Sequence, residues 1–451
     1  MFLKPAVQFV VTCLALMTTG VATAHAQGLI RDAEIEAYLR DYSDPIMEAA
    51  GLNPHEINIH IVNDDSLNAF VTDSNNMYLH TGLITAAKSP SQLIGVIAHE
   101  TGHIEGRHPA RRAEDIRVAG RPALLSIGLG ILAIAAGAGD AGAALIASSQ
   151  QFGYLNFAQH SRVVEASADQ AALRYMKETG RSPRGLLEFF EEFRDYELAN
   201  NQERYKFFRT HPLSSDRIEA LRTGIEKSGL TDVPDSAEDI EKLERMKAKL
   251  IGFLSYQREV DARYPKSDNS IPARYARAIS ALQNNFTATA IAETESLVAE
   301  EPENPYFHEL LAQIYYESGM ISEAVEPNRK ALAHEPQQPL FMLNLAVSLA
   351  DRGQEGDLEE AADLLSIATV REPANAFAWY KLSVVREQQG RRGEAMLATA
   401  EQAFNLNNCE RALNFSVRAA RELKRDSGAY IRASDITKIC SLDIQMNGRR
   451  G

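Results

Sequence analysis

The sequence predicts a mainly α protein in two parts. An α+β domain with a small β-sheet comes first, and an α-solenoid of short helical repeats follows it. Three observations carry this. Small residues and prolines recur with a period near 34 in the C-terminal half. Runs of alternating polarity between residues 57 and 80 read as strands. An apolar, helix-compatible run, Leu93 to Ile97, leads directly into His99-Glu100-Thr101-Gly102-His103.

The 451 residues leave room for two or three domains. Hydrophobic content of 45% and charged content of 24% are those of a globular chain. A formal net charge of -14 argues against nucleic acid as a partner. Arg107, Arg111, Arg112, Arg117 and Arg121 are read as a solvated helix face. Residues 1–26 look like a signal peptide: Lys4, an apolar run to Met17, and the cleavage pattern Ala24-His25-Ala26, so that the mature chain begins at Gln27. The competing reading is an N-terminal membrane anchor. Cys409 and Cys440 remain as a pair that spacing alone cannot join.

Residues 30–50 read as a helix. Ile57 to Val62 alternates as a half-buried strand, and Asn68–Val71 with Met77–His80 reads as a hairpin across a polar turn. An edge strand there either holds an extended peptide by main-chain pairing or serves as a small structural sheet. His60 and His80 are placed as structural residues.

Ser89-Pro90-Ser91 is a helix start. Four residues apart on one helix face, His99 and His103 can aim two imidazoles at one metal ion. Glu100 beside them is the candidate general base. The third ligand is sought downstream. Residues 157–177 carry Glu165-Ala166-Ser167-Ala168-Asp169 on a helical pattern. Glu165 is the candidate ligand, and Asp169 is placed to accept a hydrogen bond from a ligating imidazole. The small residues between them suit close helix packing. The metzincin pattern is excluded, because its third histidine would stand at Pro109, one residue after His108. His211, before Pro212, could reach the metal's open position or a tetrahedral intermediate. Arg217 could stabilise developing negative charge or pair with Asp169.

The run Ala123–Ala147 is apolar and glycine-rich, interrupted by Asp140. A buried helical hairpin over the site, a membrane-touching segment and a true span compete for it. Residues 225–270 are charged and helix-rich, and the domain boundary is placed near Pro265.

Beyond it, Pro302, Pro336 and Pro373 recur at 34 and 37 residues. Gly319, Gly353 and Gly390 fall in phase, as do Ala324, Ala361 and Ala395, and Ala278, Ala312 and Ala346. This is the tetratricopeptide signature. Four repeats are expected from about 268 to 407, with a capping helix over Arg411–Leu423. The expected layout is therefore 1–26 signal peptide, 27–265 zinc metalloprotease domain of zincin type, and 266–451 tetratricopeptide repeats.

Residues 30–225 resemble the CAAX-prenyl-protease and HtpX type of zinc metallopeptidase. The shared pieces are the His99–His103 motif, Glu165–Asp169, His211-Pro212 with Arg217, and Asn68-Ala69-Phe70. The resemblance implies one zinc ion held by His99, His103 and Glu165, with Glu100 as base and with His211 able to cap the metal and hold the enzyme latent. In the branch with a signal peptide and C-terminal repeats it implies a periplasmic, outer-membrane-associated enzyme. Its substrates would be unfolded or stalled outer-membrane proteins, and its repeats would meet the β-barrel assembly machinery. Peripheral membrane contact would run through Ala123–Ala147. Two other classes stay open: a repeat-based chaperone or adaptor with a latent or structural metal site, and a membrane-bound protease.

Overall fold

A computed structural model describes residues 28–72, 75–111, 161–197, 207 and 211–447, with short pieces between 124 and 148. The 1–26 segment and most of the Ala123–Ala147 run lie outside the described residues. The described leucines of that run, Leu124, Leu125, Leu129 and Leu132, are exposed. Among the described residues, no helix is long and apolar enough to cross a membrane.

The three expected strands form a four-stranded sheet with one that was not expected, at Leu29–Ile30, where the sequence reads residue 30 as the start of a helix. β1 (Leu29–Ile30) runs antiparallel to β2 (Asn58–Val62), β2 parallel to β4 (Asn76–His80), and β4 antiparallel to β3 (Ala69–Thr72). The hairpin is therefore real, and β3 stands at the sheet edge. His80 is buried against the Ser66 hydroxyl at 2.9 Å, and His60 meets Asn76 and stacks on Tyr78.

Helix α1 (Ala33–Ala49) starts at Asp32, whose carboxylate accepts from the Ile35 N–H. The short α2 (Thr81–Ala86) leads to α3 (Pro90–Glu105), the metal-motif helix. Ser89 caps α3, and Pro90 occupies its first turn, where no N–H is needed. Nearly every residue of α3 is buried. Glycines make that possible: a Cβ on Gly95 would meet Leu186 at 2.7 Å, and one on Gly102 would meet the Ala168 carbonyl at 3.0 Å. The partners are α4 (161–178) and α5 (Arg184–Glu197). α6 (Ser215–Ser228) completes the layer. One core links Leu39, Leu79, Ile94, Tyr175, Phe189 and Leu221 across these elements.

α7 (Ala237–Leu254) serves both halves. Its Leu243, Met246 and Leu250 join the first core, whereas Ala248 and Ile251 pack on Val260, Tyr264, Ala273 and Ala276. After α8 (Gln257–Arg263) come helix pairs α9 (Ile271–Gln283) with α10 (Thr287–Glu300), α11 (Pro305–Glu317) with α12 (Ile321–His334), α13 (Pro339–Arg352) with α14 (Asp357–Arg371), and α15 (Ala376–Gln388) with α16 (Arg392–Asn405). These are the four expected repeats. The in-phase glycines have their physical reason: Gly319, Gly353 and Gly390 adopt φ of 78°, 66° and 74° at the turn inside each pair. In the first repeat Asn285 takes that place at φ 60°, which the glycine pattern does not reveal.

The expected capping helix is α17 (Cys409–Glu422), but a further helix, α18 (Gly428–Asn447), pairs with it. Cys409 and Cys440 join the two as a disulfide. α18 buries Ala433 and Ile436 and exposes Ile431, Ile439 and Met446, so apolar residues surround it and no single stripe marks it in the sequence.

The halves meet at a buried charged cluster. The Lys249 ammonium lies 2.9 Å from Asp32 and 3.3 Å from Glu34, both on the protease side, and 3.7 Å from Glu309 on α11. Tyr275 of α9 donates to Glu34 at 2.7 Å. Burial, offset only in part by Lys249, pushes the Glu309 carboxyl up to about 7. An unfolded glutamate titrates near 4.3. The folded chain therefore binds the proton more tightly, and stability is lost as pH rises from about 4.3 to about 7. With the Glu309 side chain still 14% exposed, we expect a loss of about 1–3 kcal/mol across that range. Denaturant melts at pH 5 and pH 7.5 measure it. Glu309→Gln should remove most of the difference, and an equal difference in both proteins would contradict the assignment.

Candidate metal centre

Four buried side chains converge from three elements: His99 and His103 from α3, Glu165 from α4, and His211 from the loop before α6. His99 Nε2 lies 3.1 Å from His103 Nε2, 3.4 Å from Glu165 Oε2 and 3.3 Å from His211 Nδ1. Glu165 Oε1 is 3.6 Å from His103 Nε2, and Glu165 Oε2 is 3.1 Å from His211 Nδ1. A tetrahedral ion with ligands at about 2.0–2.1 Å sets its ligand atoms about 3.3 Å apart. The separations from His99 Nε2, 3.1–3.4 Å, are close to that spacing, and one ligand atom from each of the four residues lies within 4.8 Å of the others.

Proton bookkeeping leads to the same fit. His99 Nδ1 lies 3.0 Å from Asp169 Oδ1, an approach that favours a proton on Nδ1 and so a bare Nε2 when the ring is neutral. Imidazole nitrogens and a carboxylate facing one another about 3 Å apart suit a cation shared between them. The nitrogen and carboxylate donor set suits zinc and other first-row divalent ions.

The electrostatics reflect this crowding. Burial alone would raise Glu165, but the His211 and His99 imidazoles hold it well below the usual carboxylate range. Asp169 is likewise lowered against burial, by Arg217 and His99. Burial would lower His99, yet Asp169 and Glu165 push it up to about 9. His103 falls well below the ordinary histidine value through burial and the neighbouring His99. Burial pushes Glu100 up. Both Glu100 carboxylate oxygens are buried without a hydrogen-bond partner, 3.4 Å from His211 Nε2 at the nearest.

The sequence offered two roles for Arg217, and the structure gives it the pairing one. Its Nε and Nη2 grip Asp169 at 2.7 and 2.9 Å, and Nη1 lies 3.2 Å from Glu165. Nη1 also donates to the Pro212 carbonyl at 2.8 Å and the His211 carbonyl at 3.4 Å. One guanidinium thus fixes a ligand, the carboxylate behind another ligand, and the loop that carries His211. The expected close packing at 166–168 is narrower than anticipated. Ala168 is buried against α3, while Ala166 and Ser167 face outward.

Aromatic side chains that sequence reasoning missed wall the site. Phe207 stacks on His211 with ring centroids 4.5 Å apart, and Phe190 meets both the His99 ring and the Arg217 guanidinium. Nothing in their spacing signals this, because both phenylalanines stand among charged residues with no motif that ties them to the histidines. The Phe207 N–H donates to the Leu67 carbonyl at 3.0 Å, and its own carbonyl accepts from His211 N–H at 2.8 Å. The His211 loop is therefore hooked to the chain just before β3.

Comparison with known proteins defines the class. Residues 32–225 match peptidase family M48, and residues 275–339 and 351–408 match the tetratricopeptide repeat. The chain is thus a metalloprotease with an M48 domain followed by tetratricopeptide repeats; the family implies a divalent metal, and the buried His/Glu cluster is a group of the described residues that could hold one. It is homologous to the beta-barrel assembly-enhancing protease of Escherichia coli, with 25% identity over 88% of this chain and 81% of that protein. The protein of the same name from Yersinia pestis is 24% identical over 83% of this chain and 76% of its own. The mitochondrial metalloendopeptidase OMA1 of Saccharomyces cerevisiae is 27% identical over 42% of this chain and 52% of its own.

Removing Arg217 tests the framework. Arg217→Ala removes the guanidinium from the buried Asp169 and Glu165 carboxylates and leaves the imidazoles as their only positive neighbours, a change of the kind that typically costs about 3–5 kcal/mol. Denaturant unfolding of the metal-free protein should show that loss. A cost below about 1 kcal/mol would mean the guanidinium does not hold the site.

Proposed function

We propose that this chain is a zinc-dependent endopeptidase of the bacterial periplasm that degrades misfolded or stalled outer-membrane β-barrel proteins and assists their assembly through its repeats. The observation that carries the proteolytic reading is Glu100. A buried carboxylate with no hydrogen-bond partner on either oxygen, beside a group of four potential metal ligands, suits a base. The substrate class follows the name of the E. coli relative. The compartment is supported by the Ala24-His25-Ala26 pattern and by the Cys409–Cys440 disulfide, which suits an oxidising environment. The exposed Leu124, Leu125 and Leu129 support peripheral contact with a membrane.

His99, His103 and Glu165 hold the zinc in this reading. Bound there, zinc would acidify a neighbouring water and polarise the scissile carbonyl. Glu100 takes the proton from the attacking water and delivers it to the leaving amine, a task its raised affinity for protons favours. An unfolded segment pairs with the edge strand β3, which brings its carbonyl to the end of α3. His211 stands in the fourth position and acts as a latch. Because its loop is hooked to Leu67 beside β3, a substrate strand pairing there competes with the same loop.

The four-ligand closure is also what favours the second reading, a repeat-based chaperone or adaptor with a latent metal. The deciding experiment compares wild-type Gln27–Gly451 with Glu100→Gln on an unfolded outer-membrane barrel protein, with zinc content measured on both. Loss of cleavage by Glu100→Gln with zinc retained at about one per chain supports the peptidase. Equal cleavage by the two proteins rules Glu100 out as the base.

His211→Ala should raise turnover roughly ten-fold, the gain expected when a closed state holding about nine molecules in ten is removed. A fall in turnover at unchanged zinc content would assign His211 to the transition state instead.

A further inference from the structure

His108 has no place in the account so far. It stands one residue too early for a metzincin ligand, and its ring does not join the four converging groups. Its position is nonetheless built. α3 ends at Glu105, and Arg107 then adopts a left-handed φ of 53°, uncommon for a residue with a side chain. That single reversal folds the His108 ring back over the end of the helix. The space it fills is kept open by Gly106, where a Cβ would lie 2.3 Å from His108 Nε2. The result is a contact of 2.9 Å between His108 Nδ1 and His103 Nδ1.

Proton accounting gives that contact a direction. His103 Nε2 faces His99 and Glu165, so it is the nitrogen that would bind metal and must be bare. The proton of a neutral His103 then sits on Nδ1 and points at His108. His108 can accept it only with its own Nδ1 bare and its proton on Nε2. His99 solves the same problem differently, with the Asp169 carboxylate at 3.0 Å as acceptor. The two ligating imidazoles therefore have unlike supports, one a carboxylate and one an imidazole.

We propose that His108 is a positioning residue: an imidazole that accepts from His103 Nδ1–H, fixes that ligand's tautomer and ring angle, and so sets how tightly the site retains its metal. The inference rests on the reading of His103 as a ligand. Supports of this kind typically contribute 10–100-fold to metal affinity.

The test is the zinc dissociation constant of Gln27–Gly451, read by competition with a chromophoric chelator. Three proteins are compared, each checked by circular dichroism for the same helical content. His108→Phe keeps the ring and loses the acceptor, and zinc should bind about 10–100-fold more weakly. His108→Asn puts an amide oxygen near the place of Nδ1, and affinity should recover to within roughly three-fold of wild type. A role confined to packing would show the reverse order, with the aromatic ring tolerated and Asn not. Unchanged affinity in His108→Phe, or equal weakening in both variants, overturns the proposal while wild-type binding upholds the ligand reading. If the wild-type protein itself holds no zinc, the ligand reading fails and takes this inference with it.

Discussion

The buried ion pair between Arg217 and Asp169 is the constraint on which the rest of the site depends. Two charges this deep are costly to desolvate, and each is worth keeping only if the other and several further partners are in place. Here they are. Asp169 takes two bonds from the guanidinium and faces His99 Nδ1, so the charge that holds Arg217 also orients a ligand. Arg217 in turn reaches Glu165 and two carbonyls of the loop bearing His211. Helices α3, α4 and α6 are thereby tied at one point, and the imidazoles and carboxylate around the centre have little freedom left. Preorganisation of this sort is what a metal site needs, since ligands that must reorganise forfeit affinity.

In the proposed reading the same pair lets the site be complete and still be shut. His211 is held from behind by Arg217, from the side by stacking on Phe207, and through Phe207 by the Leu67 carbonyl. Only the last of these links lies where an incoming strand would pair. A substrate that displaces the loop from Leu67 removes a backbone hydrogen bond and leaves the ion pair intact. Opening can thus be local and inexpensive while the ligand framework stays fixed. The solenoid joins this framework through α7, whose Lys249 is surrounded by carboxylates from both halves. The repeats are therefore packed onto the catalytic half through a shared buried charge, in addition to shared apolar contacts among Ala33, Tyr306 and Phe341.

Much of this was legible in the sequence, for identifiable reasons. A helix must repeat an apolar face every three to four residues and a solenoid must repeat its turn residues every 34 or so, so α3 and the four helix pairs were visible as patterns. The two histidines of the candidate metal centre were visible because the i, i+4 spacing is itself the geometry. What escaped detection depends on contacts distant in sequence. The stacking of Phe207 on His211 and the meeting of Lys249 with Glu34 and Glu309 leave no local signature. α18 was missed because its surface is apolar on more than one side. Arg217 was seen, but its several partners belong to two segments, α4 and the loop at 211–212, so spacing could not choose among its roles.

The central claim is that His211 completes a tetrahedral metal site in the resting protein. It is tested most directly by zinc K-edge X-ray absorption on the zinc-loaded wild-type chain and on His211→Ala, which counts the imidazoles bound to the ion. The account predicts three imidazoles and one carboxylate in the wild type, and two imidazoles with an added water oxygen in the variant. Two imidazoles in both proteins would contradict it, because His211 would then sit near the metal without binding it.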